Sequence, residues 1–328
     1  MSFAFPDSLK LAHLPTPIAR LERLSKTFEG PQIYIKRDDY TGMAATGNKI
    51  RKLEFLLAEA LSQNCDYVIT CGGVQSNHAR ATAVASAKVG LKCHLVLRNG
   101  ISKNLEANAF LSRLVGAEME FITTEEYQRI DEIMNRVAED LRGKGHQPYV
   151  IPEGGSNELG ALGYVKAAEE IARQIKVQRL KIHHIIVPVG SGGTQAGLLL
   201  GKHIYDLPAQ IHGINVCDDE AFFVNRIHGI VKSAIKRFGL NLSVAKNEIR
   251  IIDGYVGKGY GLSSQEEIDL IKRAAQTEGI IFDPVYTGKA LFGLYDQIRA
   301  GTFKADENVL FIHTGGIFGL FPKRSVFF

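Results

Sequence analysis

The sequence predicts an α/β fold in which parallel sheets are covered by helices on both faces. Short apolar runs, which are typical of buried strands, alternate with segments whose apolar residues recur at helical spacing. This alternation favours parallel sheets with a helix in most of the crossovers. The predicted strands are residues 33–35, 67–70, 94–97, 149–151, 185–189, 211–216 and 309–312.

The length and the composition predict two domains. A chain of 328 residues corresponds to about two units of ~150 residues each. Its hydrophobic content of 45% is enough to fill ordinary cores. No Pro/Gly/Ser-rich linker separates the halves, so the domains are expected to interleave along the sequence.

Charge and cysteine content exclude several classes of partner. The net charge is +4, from 39 Lys+Arg and 35 Asp+Glu, and the basic residues are spread along the chain, which argues against nucleic acid. The four cysteines show neither a C-x-x-C pair nor a zinc spacing, so we expect reduced core thiols and no metal. The N-terminus lacks a signal-peptide pattern and no apolar stretch reaches ~20 residues, so we expect a cytoplasmic protein without a membrane span. The partner should be a small molecule.

Lys49 is the candidate for a catalytic centre. Apolar residues at Leu53, Leu56, Leu57 and Ala60 form the stripe of an amphipathic helix that begins near Lys49. The positive end of a helix dipole makes a protonated amine less favourable, so the pKa of this lysine should be lowered. Enzymes that hold a carbonyl cofactor use such a nucleophilic amine. Taken alone, however, a solvated surface lysine is the simpler interpretation.

Polar residues crowd the loop that follows the strand at 67–70. Ser76, Asn77 and His78 stand at this strand-to-helix turn, where ligands bind in open α/β sheets. Ser76 or Asn77 could serve only as a helix N-cap. Capping needs one residue, however, so the whole block also indicates a binding role.

A glycine-rich loop follows the strand at 185–189. Its sequence is Gly190-Ser191-Gly192-Gly193-Thr194, and a helical segment comes next. Converging backbone N–H groups and a helix N-terminus bind phosphate, so the loop is a candidate phosphate cup without a basic patch around it. A tight turn that only packs is the alternative.

Three further blocks lie towards the C-terminus. Tyr260 stands between glycines, Tyr286 belongs to a turn that enters the predicted helix 290–298, and Thr314 follows the strand at 309–312. Each tyrosine alone would be interpreted as a packing residue. Convergence on one cleft would make both candidates for catalysis.

Taken together, these blocks resemble the D-cysteine desulfhydrase and 1-aminocyclopropane-1-carboxylate (ACC) deaminase family of pyridoxal-phosphate (PLP) enzymes. The resemblance covers nearly the whole chain, in the family's order and spacing. It implies the tryptophan-synthase-β-like fold (PLP fold type II), with two open, twisted, mostly parallel sheets flanked by helices. It also implies a larger PLP-binding domain of residues 1–50 and 165–328 and a smaller domain of 51–164, with the cofactor in the cleft between them. The blocks that carry it are 47–54, 74–78, 190–194, 259–261, 283–289 and 311–316.

The resemblance assigns roles residue by residue. It implies the catalytic residues Lys49, Ser76, Tyr260 and Tyr286, with Lys49 as the Schiff-base lysine. It implies that PLP is held by Lys49, by Asn77 at the phenolic oxygen, by Thr314 near the pyridine nitrogen, and by Gly190, Ser191, Gly192, Gly193 and Thr194 at the phosphate. The substrate carboxylate would be received by Ser76, Asn77 and His78.

Two positions indicate the substrate within the family. ACC deaminases of this family carry a glutamate at the position of Thr287, where it contacts the pyridine nitrogen, and a glutamine at the position of His78. A neutral hydroxyl at position 287 makes the cofactor a weaker electron sink than a carboxylate would. A weaker sink is sufficient to eliminate a thiol, so both positions resemble the desulfhydrases.

The expected reaction is α,β-elimination of D-cysteine to pyruvate, ammonia and hydrogen sulfide. Lys49 or a tyrosine would take the α-proton, and the thiol would leave the β-carbon. ACC deamination to 2-oxobutanoate and L-cysteate sulfo-lyase activity remain alternatives on the same scaffold, and a non-catalytic PLP or anion carrier is an alternative from another class. The preference for the D-isomer and the expected homodimer rest on the resemblance alone.

Overall fold

The strands form two separate sheets in the part of the chain that the computed structural model describes, residues 3–98 and 105–328. The larger sheet has the strand order β1-β2-β10-β7-β8-β9 and is parallel except for the β1–β2 pair. Its strands are β1 (Ile18–Arg20), β2 (Gln32–Lys36), β7 (His184–Val189), β8 (Gln210–Asn215), β9 (Arg250–Ile252) and β10 (Asn308–Ile312). The smaller sheet is wholly parallel, in the order β5-β4-β3-β6. Its strands are β3 (Tyr67–Gly73), β4 (Lys92–Arg98), β5 (Glu118–Ile122) and β6 (Pro148–Val150).

Helices cover the faces of both sheets. The first five are α1 (Glu22–Phe28), α2 (Lys49–Ser62), α3 (Asn77–Lys88), α4 (Ala107–Leu114) and α5 (Ile130–Gly143). The others in the described residues are α6 (Glu158–Val177), α7 (Gly193–Ile204), α8 (Glu220–Phe238), α9 (Gln265–Glu278) and α10 (Thr287–Arg299). None of these helices is both long and apolar enough to cross a membrane.

The sequence predicted the strands that have a continuous apolar run and missed three others. All seven predicted runs fall on observed strands, although residues 151 and 216 lie just beyond the ends of β6 and β8. The missed strands β1, β5 and β9 all lie at sheet edges. An edge strand is covered less completely, so its residues do not need to be apolar throughout. In β5, for example, only the last residue is buried.

Helix α6 packs between α2 and α7 with its backbone close to both. A Cβ atom added to Gly163 of α6 would lie 2.4 Å from the Arg51 carbonyl oxygen of α2. A Cβ atom added to Gly197 of α7 would lie 2.2 Å from the Ala161 carbonyl oxygen of α6. Glycine at these two positions therefore allows three helices to pack with almost no side chain between their backbones.

The carboxyl ends of strands from both sheets open onto one cleft. Loops that follow β3 and β6 of the smaller sheet and β7 and β10 of the larger sheet line it. Its volume is about 690 Å³, including the open solvent at the mouth. This is the edge at which open α/β sheets bind ligands. The strands of the larger sheet lie in 18–36 and 184–312 and those of the smaller sheet in 67–150, while the domain bounds given above remain a prediction.

The cysteines differ from the expectation at one position. Cys65, Cys71 and Cys93 are buried free thiols, whereas Cys217 is partly exposed. Within residues 3–98 and 105–328, no three His, Cys, Asp or Glu side chains gather in a way that could hold a metal ion.

Candidate active site

Lys49 is the first residue of α2 and lines the cleft. The loop before it is held against the end of β10, because the Asn48 N–H donates to the Thr314 carbonyl oxygen at 3.0 Å. The Lys49 amine donates to Asn48 Oδ1 at 2.9 Å and lies 5.9 Å from the centre of the Tyr286 ring. Burial lowers the pKa of Lys49 to about 8, and the nearby Arg80 cation acts in the same direction. The pKa is therefore lowered, as expected, and burial is the main cause.

The loop after β3 brings Ser76, Asn77 and His78 to the cleft. Ser76 is the N-cap of α3, with its Oγ accepting from the Ala79 N–H at 3.1 Å. Ser76 therefore caps helix α3 and also lines the cleft. The Asn77 Oδ1 accepts from Asn108 Nδ2 at 3.2 Å, which orients the Asn77 amide.

His78 is a neutral imidazole in this environment. Burial and the amines of Lys49 and Lys52 hold its pKa well below the ordinary value. Its Nε2 shares a hydrogen bond of 2.9 Å with Thr70 Oγ1, while its buried Nδ1 has no partner among the described residues.

The glycine-rich loop after β7 forms the opposite wall. Gly190, Ser191, Gly192 and Thr194 line the cleft, whereas Gly193 lies just behind it and its N–H donates to Ser156 Oγ at 3.2 Å. Gly192 has a φ of 83°, a left-handed conformation that favours glycine. Helix α7 begins at Gly193, so the positive end of its dipole points at this loop.

The sequence did not reveal Lys52, a buried cation that lies beside the glycine-rich loop. It is only 1% exposed, and its amine donates to the Gly154 carbonyl oxygen at 3.1 Å and to Ser156 Oγ at 3.0 Å. Burial and the cations of Lys49 and Arg226 hold its pKa well below the ordinary value. Among the described residues no carboxylate pairs with this amine. Lys52 is three residues after Lys49 and therefore lies on the same helix face, and this spacing is the sequence feature that could have indicated its place in the site.

Tyr260 and Tyr286 meet in the cleft, and their hydroxyl groups are hydrogen-bonded to each other. Burial raises the pKa of Tyr260 to about 12, and burial together with Tyr260 holds the pKa of Tyr286 well above its ordinary value. Both phenols therefore keep their protons near neutral pH. Thr314 also lines the cleft, at the end of β10.

Thr287 does not reach the cleft. It is fully buried, and its hydroxyl donates to Asp283 Oδ1 at 2.7 Å. Asp283 also accepts from the backbone N–H groups of residues 285, 286 and 287 at the start of α10. The expectation that the Thr287 hydroxyl faces the cofactor is therefore not supported by its hydrogen bonds, although the position still carries no carboxylate.

Glu153 is a second cleft residue that the sequence analysis missed. It begins the short 3₁₀ turn Glu153–Gly155 after β6, and its Oε1 accepts from the Tyr127 hydroxyl at 2.7 Å. Of the described residues that line the cleft around Lys49, Glu153 is the one carboxylate.

The fold and the site define a class of enzyme. A lysine with a lowered pKa faces a glycine-rich loop, and the buried Lys52 amine beside that loop needs an anion to balance its charge. Such a site fits a cofactor that has a carbonyl at one end and a phosphate at the other. A model of the family described as pyridoxal-phosphate dependent enzyme matches residues 9–315. The chain belongs to this family, in the group that contains D-cysteine desulfhydrases and ACC deaminases, and it is a PLP-dependent lyase.

Two curated relatives cover most of the chain. The bifunctional D-cysteine desulfhydrase/ACC deaminase of Arabidopsis thaliana mitochondria is 44% identical over 96% of this chain and 80% of the relative. The D-cysteine desulfhydrase of Klebsiella pneumoniae (strain 342) is 41% identical over 95% of each chain. The relatives thus support PLP-dependent elimination under both activity names.

Solved structures confirm the predicted tryptophan-synthase-β-like fold. A crystal structure of an ACC deaminase homologue has a TM-score of 0.89 and 40% identity, covering 98% of this chain and 95% of the homologue. O-ureido-L-serine synthase has the same fold, with a TM-score of 0.69 at 16% identity over 95% of this chain and 92% of its own. The predicted family, fold and cofactor are therefore confirmed.

Proposed function

We propose that this lyase is a D-cysteine desulfhydrase that converts D-cysteine to pyruvate, ammonia and hydrogen sulfide. The observation that carries the choice is the chemistry at the end of the cleft formed by β10 and α10. Thr314 offers a neutral hydroxyl there, and Thr287, whose hydroxyl donates to Asp283 and does not reach the cleft, adds no carboxylate to it. Neutral partners of a pyridine nitrogen make a moderate electron sink, which is sufficient for the loss of a thiol.

The residues at the cleft fit PLP at each of its polar groups. Lys49 would hold its aldehyde, Asn77 its phenolic oxygen and Thr314 its ring nitrogen. Lys52, Ser156 and the loop of residues 190–194 would hold its phosphate, which would balance the buried Lys52 charge. When bound, PLP supplies a conjugated ring that withdraws electrons from the substrate's α-carbon.

The loop at the start of α3 would bind and orient the substrate. Ser76 and Asn77 stand at the N-terminus of this helix of 12 residues, whose dipole favours a carboxylate. The neutral His78 beside them adds a hydrogen-bonding group without adding charge. Fixing the carboxylate here would set which bond of the α-carbon stands perpendicular to the ring.

The pKa values of the cleft residues support a division into a base and an acid. A lysine whose pKa is about 8 has a useful fraction of neutral amine near pH 7.5, so Lys49 would take the α-proton. Tyr260 and Tyr286, whose raised pKa values keep them protonated, would donate a proton to the departing sulfur. Because the two hydroxyl groups are hydrogen-bonded, either could supply the proton, and the other would stabilise the resulting phenolate by donating to it until solvent returns the proton.

A product-release assay tests this proposal. Pyruvate, sulfide, sulfite and 2-oxobutanoate would be measured with D-cysteine, L-cysteine, L-cysteate, D-serine and ACC as substrates. We expect D-cysteine to give pyruvate and sulfide with the highest kcat/KM. Release of 2-oxobutanoate from ACC at an equal or higher rate would instead assign ACC deaminase, the activity that the name of the Arabidopsis relative also carries.

We also propose a cytoplasmic homodimer with the domain division 1–50 and 165–328 against 51–164. Exposed apolar side chains on α4 and after β10, Phe110, Leu114 and Phe321, are compatible with an interface. Analytical ultracentrifugation should give twice the mass of the chain, and native-state hydrogen exchange should show residues 51–164 opening as a unit separate from 1–50 and 165–328. Cell fractionation tests the compartment.

A further inference from the structure

Glu153 supplies a fixed negative charge to the cleft. It follows β6 directly, and the bond from the Tyr127 hydroxyl to its Oε1, at 2.7 Å, holds the carboxylate in place. Its charge opposes the lowering of the Lys49 pKa by burial, and it adds to the burial that raises the pKa values of Tyr260 and Tyr286. Glu153 is therefore within electrostatic reach of all three residues that we place around the reacting atoms.

This carboxylate is not neutralised by a neighbouring cation. Within the described ranges, no Lys, Arg or His side chain lies within 4.0 Å of the Glu153 carboxylate. Arg98, at the end of β4, places its guanidinium over the Tyr127 and Tyr260 rings, 4.5 and 5.3 Å from the ring centres, and acts on the pKa of Tyr260 in the direction opposite to Glu153. It forms no ion pair with Glu153, so the partly exposed carboxylate beside the cleft is available to pair with a cationic group of a substrate.

The elimination of sulfide from cysteine does not require a carboxylate at position 153. Lys49 takes a proton, the tyrosines donate one, and the helix α3 loop binds the carboxylate. A fixed negative charge would even oppose the formation of a thiolate. It would repel an anionic group on the substrate's β-carbon and attract a cationic one.

We propose that Glu153 determines which β-substituent the cleft accepts, so that the enzyme also eliminates ammonia from 2,3-diaminopropionate and discriminates against cysteate. The ammonium of the first substrate would pair with Glu153, whereas the sulfonate of the second would be repelled. This inference rests on the proposed elimination in the same cleft. It also disfavours the sulfo-lyase alternative.

The proposed reaction balances without a further reactant. Lys49 takes the α-proton, the bond between the β-carbon and the ammonium nitrogen breaks, and the electron pair leaves with ammonia. A carboxylate partner keeps this β-amine protonated and so makes it a better leaving group. The unsaturated amino acid then takes up one water and yields pyruvate and a second ammonia.

Glu153→Gln and Glu118→Gln form a matched pair of variants. Glu118 is likewise a carboxylate of the smaller sheet that accepts from a tyrosine, Tyr67, but it lies outside the cleft. We expect the wild type to release two ammonia per pyruvate from 2,3-diaminopropionate. Glu153→Gln should lower kcat/KM for diaminopropionate relative to cysteine by about tenfold and raise that for cysteate relative to cysteine by about tenfold. Glu118→Gln should leave both ratios as they are.

The inference would be overturned if the kcat/KM ratios of diaminopropionate and cysteate to cysteine were the same in the wild type and Glu153→Gln. It would also be overturned if Glu153→Gln and Glu118→Gln changed these ratios equally. If D-cysteine proves not to be the substrate, the proposed function fails while Glu153 is still tested through binding. Diaminopropionate and cysteate would then be titrated against the visible absorbance of the loaded enzyme, and Glu153→Gln should shift their relative dissociation constants in the same directions. Should Glu153→Gln fold poorly, Tyr127→Phe frees the carboxylate while keeping its charge, and a smaller shift of the same sign is expected. No shift in Tyr127→Phe would count against the inference.

Discussion

The two faces of the first turn of α2 bury positive charge in opposite ways. On one face, Arg51 is 1% exposed and makes hydrogen bonds to the carboxylates of Asp38, at 2.8 and 2.9 Å, and Glu170, at 3.1 Å. On the other face, Lys49 and Lys52 donate only to an amide, a carbonyl and a hydroxyl oxygen among the described residues. Residues three apart share a helix face, whereas Arg51 points away from both lysines.

The pKa values reflect this difference. Burial alone would lower the pKa of Arg51, but Asp38 and Glu170 outweigh it and raise the value. Burial lowers the pKa of both lysines, with no comparable compensation. A buried cation with carboxylate partners belongs to the fold, while one without them is available to a ligand. We infer that one helix turn serves both as a structural anchor and as the place where PLP is bound.

Loss of Lys49 should have the largest effect. Lys49→Ala removes the nucleophilic amine, and elimination should fall by about 10³-fold or more. Lys49→Arg keeps the charge but cannot form the covalent bond, so elimination should fall by the same factor in this variant. Both variants should lack the visible absorbance of lysine-bound PLP. Retention of that band in either variant would show that another amine holds the cofactor.

Arg51→Met should be the most destabilising change on the paired face. It leaves two buried carboxylates without their main partner, which typically costs about 3–5 kcal/mol. The control is Arg237→Met, which breaks ion pairs of a 37%-exposed side chain with Glu59 and Glu158 and should cost at most about 1 kcal/mol. Urea unfolding followed by circular dichroism measures both free energies. Similar values for the two variants would contradict a structural role for the Arg51 face.

Lys52→Met should weaken cofactor binding without weakening the cofactor-free fold. Loss of a charge-assisted hydrogen bond to the phosphate should lower PLP affinity by about 10–100-fold. The cofactor-free variant should be at least as stable as the wild type, because it no longer buries an unpaired amine. Equilibrium dialysis and urea unfolding measure the two quantities, with Lys166→Met, on α6 and outside the cleft, as the control. A large loss of stability without PLP would place Lys52 with Arg51 instead.

The pH dependence of cofactor capture should give the smallest effect. Only a neutral amine attacks the PLP aldehyde, and burial lowers the pKa of Lys49 from 10.5 to about 8. The capture rate of the cofactor-free protein should therefore rise about tenfold between about pH 7 and pH 9 and then level off. Stopped-flow absorbance measures it. A rate that keeps rising towards about pH 10 would show an ordinary exposed lysine.

The sequence predicted those parts of the fold and site that depend on local pattern. Buried strands have continuous apolar runs, and the polar clusters at 76–78, 190–194 and 314 follow such runs directly. The carboxyl ends of parallel strands share one edge within a sheet, which brings 190–194 and 314 together, and the corresponding edge of the smaller sheet brings 76–78 to the same cleft. Three of the four edge strands, β1, β5 and β9, were missed because partial exposure removes the apolar pattern.

The missed site residues depend on tertiary contacts. Lys52 looks like any helix lysine until the turn after β6 buries it. Glu153 gains its place only when Tyr127, 26 residues earlier, donates to it. Thr287 was interpreted as facing the cofactor because the resemblance places a glutamate of ACC deaminases there, yet its hydroxyl donates to the Asp283 carboxylate. No local spacing records these partners.

The glycine contacts of α6 connect two helix starts that line the cleft. Helix α2 begins with Lys49 and α7 begins at the glycine-rich loop, and α6 packs closely against the backbones of both. A side chain at Gly163 would push α2 away from α6, and one at Gly197 would push α7 away. The separation of the Lys49 amine from the loop that we propose for the phosphate therefore depends on two positions outside the cleft.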